Sequence, residues 1–319
     1  MKLKTLYEEA VKIGIQNDLR GEKEINRILE EEKKEFEKLK EDEKLIFDKD
    51  RLFNPYTDSR VLYGDLEKDI KKVIVGIDME VQEVLLTYIL NRDNNANIDL
   101  IISHHPEGYA YPKLYEMLKI QIDLIIQAGL ASSVAENIFS KRISEVEHRL
   151  HSVNSERAID AAKLLNIPFM CIHTIADNCV TKFLNMLFEN KKPYRLKELI
   201  EILKEIPEYK NSIKKNISPK IFVGSDNNLC GKIFVDMTGG TNGSKDIYEK
   251  LADKGISTIV GMHIPEDHIE AVKKANLNVV IAGHIASDNL GLNLLFDEIE
   301  KKEKLDFVCV SGFERIKHY

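Results

Sequence analysis

Residues 98–106 read IDLIISHHP: an apolar run of strand character that ends in two histidines and a proline. A buried strand has no need of two adjacent imidazoles at its end. Neighbouring residues on an extended chain point to opposite faces, so both rings serve one site only where the backbone turns. Pro106 favours that turn, because it biases His105 away from helix and cannot donate to a sheet ladder. His104 and His105 therefore mark a corner to which the rest of the chain can bring further ligands.

Working outward, residues 71–78 (KKVIVGID) read as a strand and 81–92 (VQEVLLTYILNR) as a helix, so that with 98–105 they make a right-handed, parallel βαβ unit. Residues 111–149 read as helical. SERAIDAAKLL (155–165) reads as a helix with Ser155 as N-cap, and IPFMCIH (167–173) as the strand that closes a second crossover. A lysine-rich stretch at 191–219 carries a helix in LKELIEILKEI and a linker in YKNSIKKNISPK. Beyond it, strands in GKIFVDM, STIVGMH, NVVIAGH and LDFVCVS alternate with helices. The two halves share a strand, helix, strand, histidine grammar without a sequence-identical repeat, which predicts an α/β fold of two similar lobes.

The expected divisions are an N-terminal helical arm (1–55), a first lobe with the His pair (56–190) and a second lobe ending in a GHxxxD motif (191–319). In the arm, apolar residues recur at helical spacing among many Glu and Lys, the pattern of a solvated helical hairpin packed on the body or on a neighbouring subunit. FNPYTDSR (53–60) reads as the loop that separates arm from body.

Composition narrows the function classes. With 43% hydrophobic and 31% charged residues, the 319-residue chain fits a globular protein with a sizeable core. A formal charge of -7 disfavours a nucleic-acid binder, whose phosphate partner demands a basic surface. Four dispersed cysteines with no C-x-x-C pair suggest reduced thiols in a cytoplasm, not a disulfide framework or zinc knuckle. The opening MKLKTLYEEAVKIG is amphipathic and acidic, unlike a signal peptide, and no window approaches about 18 uninterrupted apolar residues.

Five of nine histidines directly follow an apolar strand: His104, His105, His173, His263 and His284. Ligand sites in parallel α/β sheets gather at the carboxyl ends of strands. Two of these ends add a carboxylate four residues on, HTIAD (His173, Asp177) and HIASD (His284, Asp288). If a helix begins there, the His and Asp share one face. Taken singly, a strand-end histidine is more often a packing residue, and an Asp at a helix start more often a cap. Their coincidence points to a metal site, with imidazole and carboxylate suited to zinc, manganese or iron(II). The groups exceed the need of one tetrahedral ion, so two divalent ions sharing a bridging carboxylate fit better. Two such ions retain net positive charge, attract phosphate esters or nucleotides, and generate hydroxide at neutral pH.

Around this set, His173 reads as a hydrogen-bonding neighbour or proton shuttle, and Cys171 as a buried thiol on the same strand. His263 and His268, in MHIPEDH, are candidate catalytic acids or phosphate contacts, with Glu266 in the same loop; the alternative is a plain surface loop. The GGTNGS loop (239–244) reads as a tight turn more than an anion cradle, since it lacks the phosphate-loop patterns. Asp78 lines the cleft or caps the following helix.

DLIISHHP, HTIAD and AGHIASD, in this order, together with the segment GDLEKDIKKVIVGIDMEVQEVLLTYIL, resemble the Nif-three-like family of dinuclear metal proteins, often described as type 2 GTP cyclohydrolase I. The resemblance covers roughly residues 60–311. It implies two intertwined lobes with mixed sheets flanked by helices, a two-metal centre in the cleft between them and a toroidal homohexamer. It also implies His104, His105, Asp177, His284 and Asp288 as metal ligands. The family usually has Glu where Asp288 stands, residues 111–149 lengthen the interval from His105 to Asp177, and the N-terminal arm is atypical. The function expected is a metal-dependent hydrolase acting on a small phosphorylated or nucleotide-like substrate. The competing expectation is a metal-stabilised ring scaffold or chaperone for protein partners.

Overall fold

The computed structural model describes all 319 residues. Three helices open the chain: α1 (Leu3–Asn17), α2 (Glu22–Lys38) and α3 (Glu41–Ile46). The first lobe runs β1 (Arg60–Tyr63), β2 (Lys72–Gly76), α4 (Val81–Asn94), β3 (Leu100–Ser103), α5 (Leu118–Gln127), α6 (Ser132–His151), α7 (Arg157–Leu165), β4 (Phe169–Cys171) and α8 (Thr174–Lys191). The second runs α9 (Leu196–Glu205), α10 (Pro207–Lys214), β5 (Lys220–Val223), β6 (Lys232–Asp236), α11 (Tyr248–Asp253), β7 (Ile256–Gly261), α12 (Glu266–Lys274), β8 (Asn278–Ile281), α13 (His284–Glu300) and β9 (Asp306–Cys309).

The strands form two mixed sheets of order β1-β4-β3-β2-β9 and β5-β8-β7-β6. The two share a core of three parallel strands, β4-β3-β2 and β8-β7-β6, each with one antiparallel edge strand, β1 on β4 and β5 on β8. The second sheet repeats the topology of the first, as the shared grammar predicts. β9 then returns to pair with β2, so the end of the chain is woven into the first lobe. Intertwining follows from that return and from α5 and α6, which pack on the second sheet.

Strands covered on both faces read as apolar runs, not as alternation. Val73, Val75, Leu100 and Ile102 pack on α1, α8 and α13, while Ile74, Ile101 and Phe169 face α4 and α7 on the other side. In the second sheet Val235, Val260 and Val280 meet α8, α9 and α13, and Ile259, Val279 and Ile281 meet α5, α6, α11 and α12. α8 and α13 thus lie between the sheets and serve both cores. They cross so closely at Gly291 that a Cβ there would stand 2.5 Å from the Ala176 carbonyl oxygen.

Four local differences from the sequence reading have physical causes. α1 belongs to the core: Leu3, Leu6, Tyr7, Ala10 and Val11 form a buried helical face, leaving α2 and α3 as the charged part of the arm. The segment read as a linker begins as α10, with Pro207 at its first turn and Tyr209 buried, the two hydroxyls of Tyr209 and Ser287 2.9 Å apart. Ser155 does not cap α7, which starts after Glu156; its carbonyl accepts from Gly108 instead. The edge strands β1 and β5 are covered on one face at most, so neither reads as the apolar run that marks the buried strands.

Candidate metal centre

Each chemical side chain sits where a strand gives way to a turn or helix. β3 ends at Ser103, and the backbone N–H groups of His104 and His105 donate to Gly76 and Ile77 as the chain turns. α8 and α13 begin immediately after β4 and β8, placing Asp177 and Asp288 in or near their first turns. Gly283, at φ +114°, makes the corner that lets His284 open α13. The close crossing of α8 on α13 then brings the two carboxylates to the same imidazole.

His104 Nε2 lies 3.5 Å from Asp177 Oδ1 and 3.5 Å from Asp288 Oδ1. Asp288 Oδ2 lies 3.5 Å from His284 Nε2 and 3.7 Å from His105 Nε2. These separations are too long for hydrogen bonds. They match the roughly 3.4 Å edge between ligand atoms on a tetrahedral ion with bonds of about 2.1 Å. His104 Nε2, Asp177 Oδ1 and both oxygens of Asp288 are buried with no hydrogen-bond partner. Buried polar atoms left unpaired cost free energy, and four converging orphans are what a cation satisfies. The donor set of imidazole and carboxylate fits that ion.

The outer nitrogens are fixed. His104 Nδ1 faces the Ile172 carbonyl at 3.1 Å, His105 Nδ1 the Asp78 carboxylate at 2.6 Å, and His173 Nδ1 the Asp58 carboxylate at 2.9 Å. Each contact sets a tautomer and aims Nε2 inward, as metal-ligating histidines require.

A solved NIF3 superfamily protein from Sphaerobacter thermophilus matches the fold with TM-score 0.68 and 27% identity, over 81% of this chain and 92% of that one. The fold is NIF3-like. Reduced HcgD from Methanocaldococcus jannaschii is similar at 16% identity and TM-score 0.46, over 78% of this chain and 87% of its own. The Staphylococcus aureus hypothetical protein SA1388 is similar at 15% and 0.45, over 82% and 92%. No protein-family model and no curated protein matches the sequence.

All five ligand residues implied by the resemblance come together: His104, His105, Asp177, His284 and Asp288. His173 joins them, its ring centroid 4.9 Å from that of His104. His263 stands exposed beside His284, ring centroids 4.7 Å apart. His268 is not brought to the cluster: on α12 it is buried, with Nδ1 2.8 Å from the Tyr248 hydroxyl. Glu266 is exposed at the start of α12. Cys171 faces the opposite core, and burial pushes its thiol up to about 12. The 239–244 loop is a packed turn, its carbonyls accepting from Gln121 and Arg142.

Of the two carboxylates that orient the imidazoles, the sequence reading missed Asp58 and placed Asp78 at the cleft or at the start of the following helix. Asp58 lies in the loop read as a separator, and the fully buried Arg60 anchors it there by pairing with Asp48 at 3.0 Å. Nothing local marks it. Asp78 carries the only signal, a polar residue just past an apolar strand, and it orients His105 while Glu80 caps α4.

The electrostatics suit ligation. Burial lowers the pKa of His104, and burial with neighbouring imidazoles takes His284 down to about 4, so both rings are neutral and their lone pairs free. Burial works to raise Asp288, but His104, His284 and His105 outweigh it and hold the carboxyl at about 2. Burial opposes the charge on His173, yet Asp177 and Asp58 raise it to about 9.

Proposed function

We propose that this NIF3-like chain is a metal-dependent hydrolase that holds two divalent ions, of zinc, iron or manganese, and acts on a substrate presenting a phosphoryl or C=N group. Asp288 carries the reading. Its two orphaned oxygens face different imidazoles, so the ligands divide into two triads, His104 with Asp177 and Asp288, and His105 with His284 and Asp288. Ions held by these triads would supply Lewis-acid polarisation and would acidify a bound water. The chain's own part is to orient the rings through Asp58 and Asp78 and to present His263, beside His284, for proton transfer to or from substrate. His268, tied to Tyr248, has no such access.

Elemental analysis of purified protein, with a phosphoester and nucleotide screen that includes GTP, tests this. His104→Ala and His284→Ala should each lose bound metal and turnover together; full metal stoichiometry in both overturns the assignment. The four free cysteines suit a cytoplasmic location, and no helix is long and apolar enough to cross a membrane. Leu85, Leu86, Tyr88 and Ile89, exposed together on α4, support self-association, for which the resemblance implies a hexamer. The same face favours a second reading, a metal-stabilised scaffold. Chelation that dissociates the oligomer, with no turnover of any screened compound, would select it.

A further inference from the structure

A cavity of about 400 Å³ opens directly beside the centre, with His263 and His284 in its wall. Ile217, Met262, Ile281, Ile285 and Ile316 line much of the rest, and nearly all of its exposed wall is apolar carbon. The polar side chains that border it are already engaged. Lys215 Nζ is paired with Glu314 at 2.5 Å, and Asn211 donates to the other Glu314 oxygen. The Ser212 hydroxyl donates to the Tyr209 carbonyl, while Asn289 donates to Ile285 and Gly312 and accepts from the Glu314 N–H. Glu208 keeps one carboxylate oxygen without a partner, an acceptor that repels any anionic group.

Resting on the metal-hydrolase reading of the same site, we infer that the substrate is a monophosphate ester of an apolar, ring-sized alcohol, whose one anionic head meets the centre and whose uncharged body fills this cavity. A volume of 400 Å³ suits such a body, and burial of apolar surface is the only recognition these walls offer. A nucleoside triphosphate fits poorly, because charged phosphates need free cations. Neither this cavity nor the smaller polar cleft that shares His263 and His284 with it is lined by an unpaired Lys or Arg.

Dissociation constants for methyl, phenyl and 1-naphthyl phosphate and for GTP, measured on metal-loaded and on chelated protein, test the assignment. Affinity should rise at least tenfold from methyl to 1-naphthyl phosphate, with GTP no tighter than methyl phosphate. Ile217→Ala, at a half-exposed position on the wall, should remove part of the gain, and Ile217→Glu should remove it. Equal affinity across the series, tightest binding by GTP, an undiminished gain in Ile217→Glu, or naphthyl phosphate held as tightly after chelation would each overturn it. Turnover is scored separately. Tight binding of 1-naphthyl phosphate without hydrolysis would keep the cavity assignment and remove the hydrolase; hydrolysis with equal affinity across the series would do the reverse.

Discussion

Both oxygens of Asp288 are buried without a hydrogen-bond partner, one towards His104 and the other towards His105 and His284. Replacing it by Asn keeps the shape but removes the charge that two cations would share. Asp288→Asn should therefore lose most bound metal by elemental analysis, whereas a merely structural Asp would let the Asn variant keep it. Asp58 acts one contact further out, through the outer nitrogen of His173 and the Thr174 hydroxyl, 2.6 Å away. Asp58→Asn should weaken metal affinity about 10- to 100-fold in competition with a chromophoric chelator, the usual cost of losing such a partner. Unchanged affinity would show that His173 stands outside the centre.

At the scale of elements, the crossing of α8 on α13 decides the geometry, because it alone brings Asp177 and Asp288 to one imidazole. A methyl at Gly291 meets backbone, which cannot swing aside as a side chain would. Gly291→Ala should cost about 1–3 kcal/mol of stability in denaturant titration, the range for overpacking, and should lower metal affinity with it. A variant as stable as the parent would mean that the helices separate freely. The tail beyond β9 is pinned to α10 by a pair between His318 Nε2 and Glu208 at 2.8 Å. That hydrogen bond raises the His318 pKa above its ordinary 6.5, against the opposing effect of burial. A raised folded pKa means stabilisation that is complete below about pH 6.5 and fades as pH rises through the folded value. The melting-temperature gap between the parent and His318→Gln should therefore be widest near pH 6 and narrow as pH rises. A gap that widens with pH would contradict the pairing.

For the whole molecule, two sheets of one topology enclose a shared helical layer, and β9 stitches the second half to the first. Such a body leaves α4 outermost on the first sheet, with Leu86 39% and Ile89 45% exposed. Leu86→Glu combined with Ile89→Glu should shift the protein to a smaller species in light scattering while leaving the monomer folded by circular dichroism. An unchanged mass would remove α4 from the assembly surface.

The apolar runs, the βαβ alternation and the five histidines that close four strands were legible in the sequence because each is a local pattern, set by side-chain periodicity and strand-end chemistry. The H-x-x-x-D spacing was legible for the same reason, since helix start and ligand face are neighbours along the chain. Folding alone decided that α1 is core, that β9 returns to the first sheet and that His268 turns to Tyr248 instead of the cleft. Asp58 and Asp78 acquire their roles there too: Asp58 lies 115 residues from the imidazole it holds, Asp78 27 from its own. The physical reason is common to all of these. Periodicity tells a residue which face to present, but only the packing of distant segments determines what that face will meet.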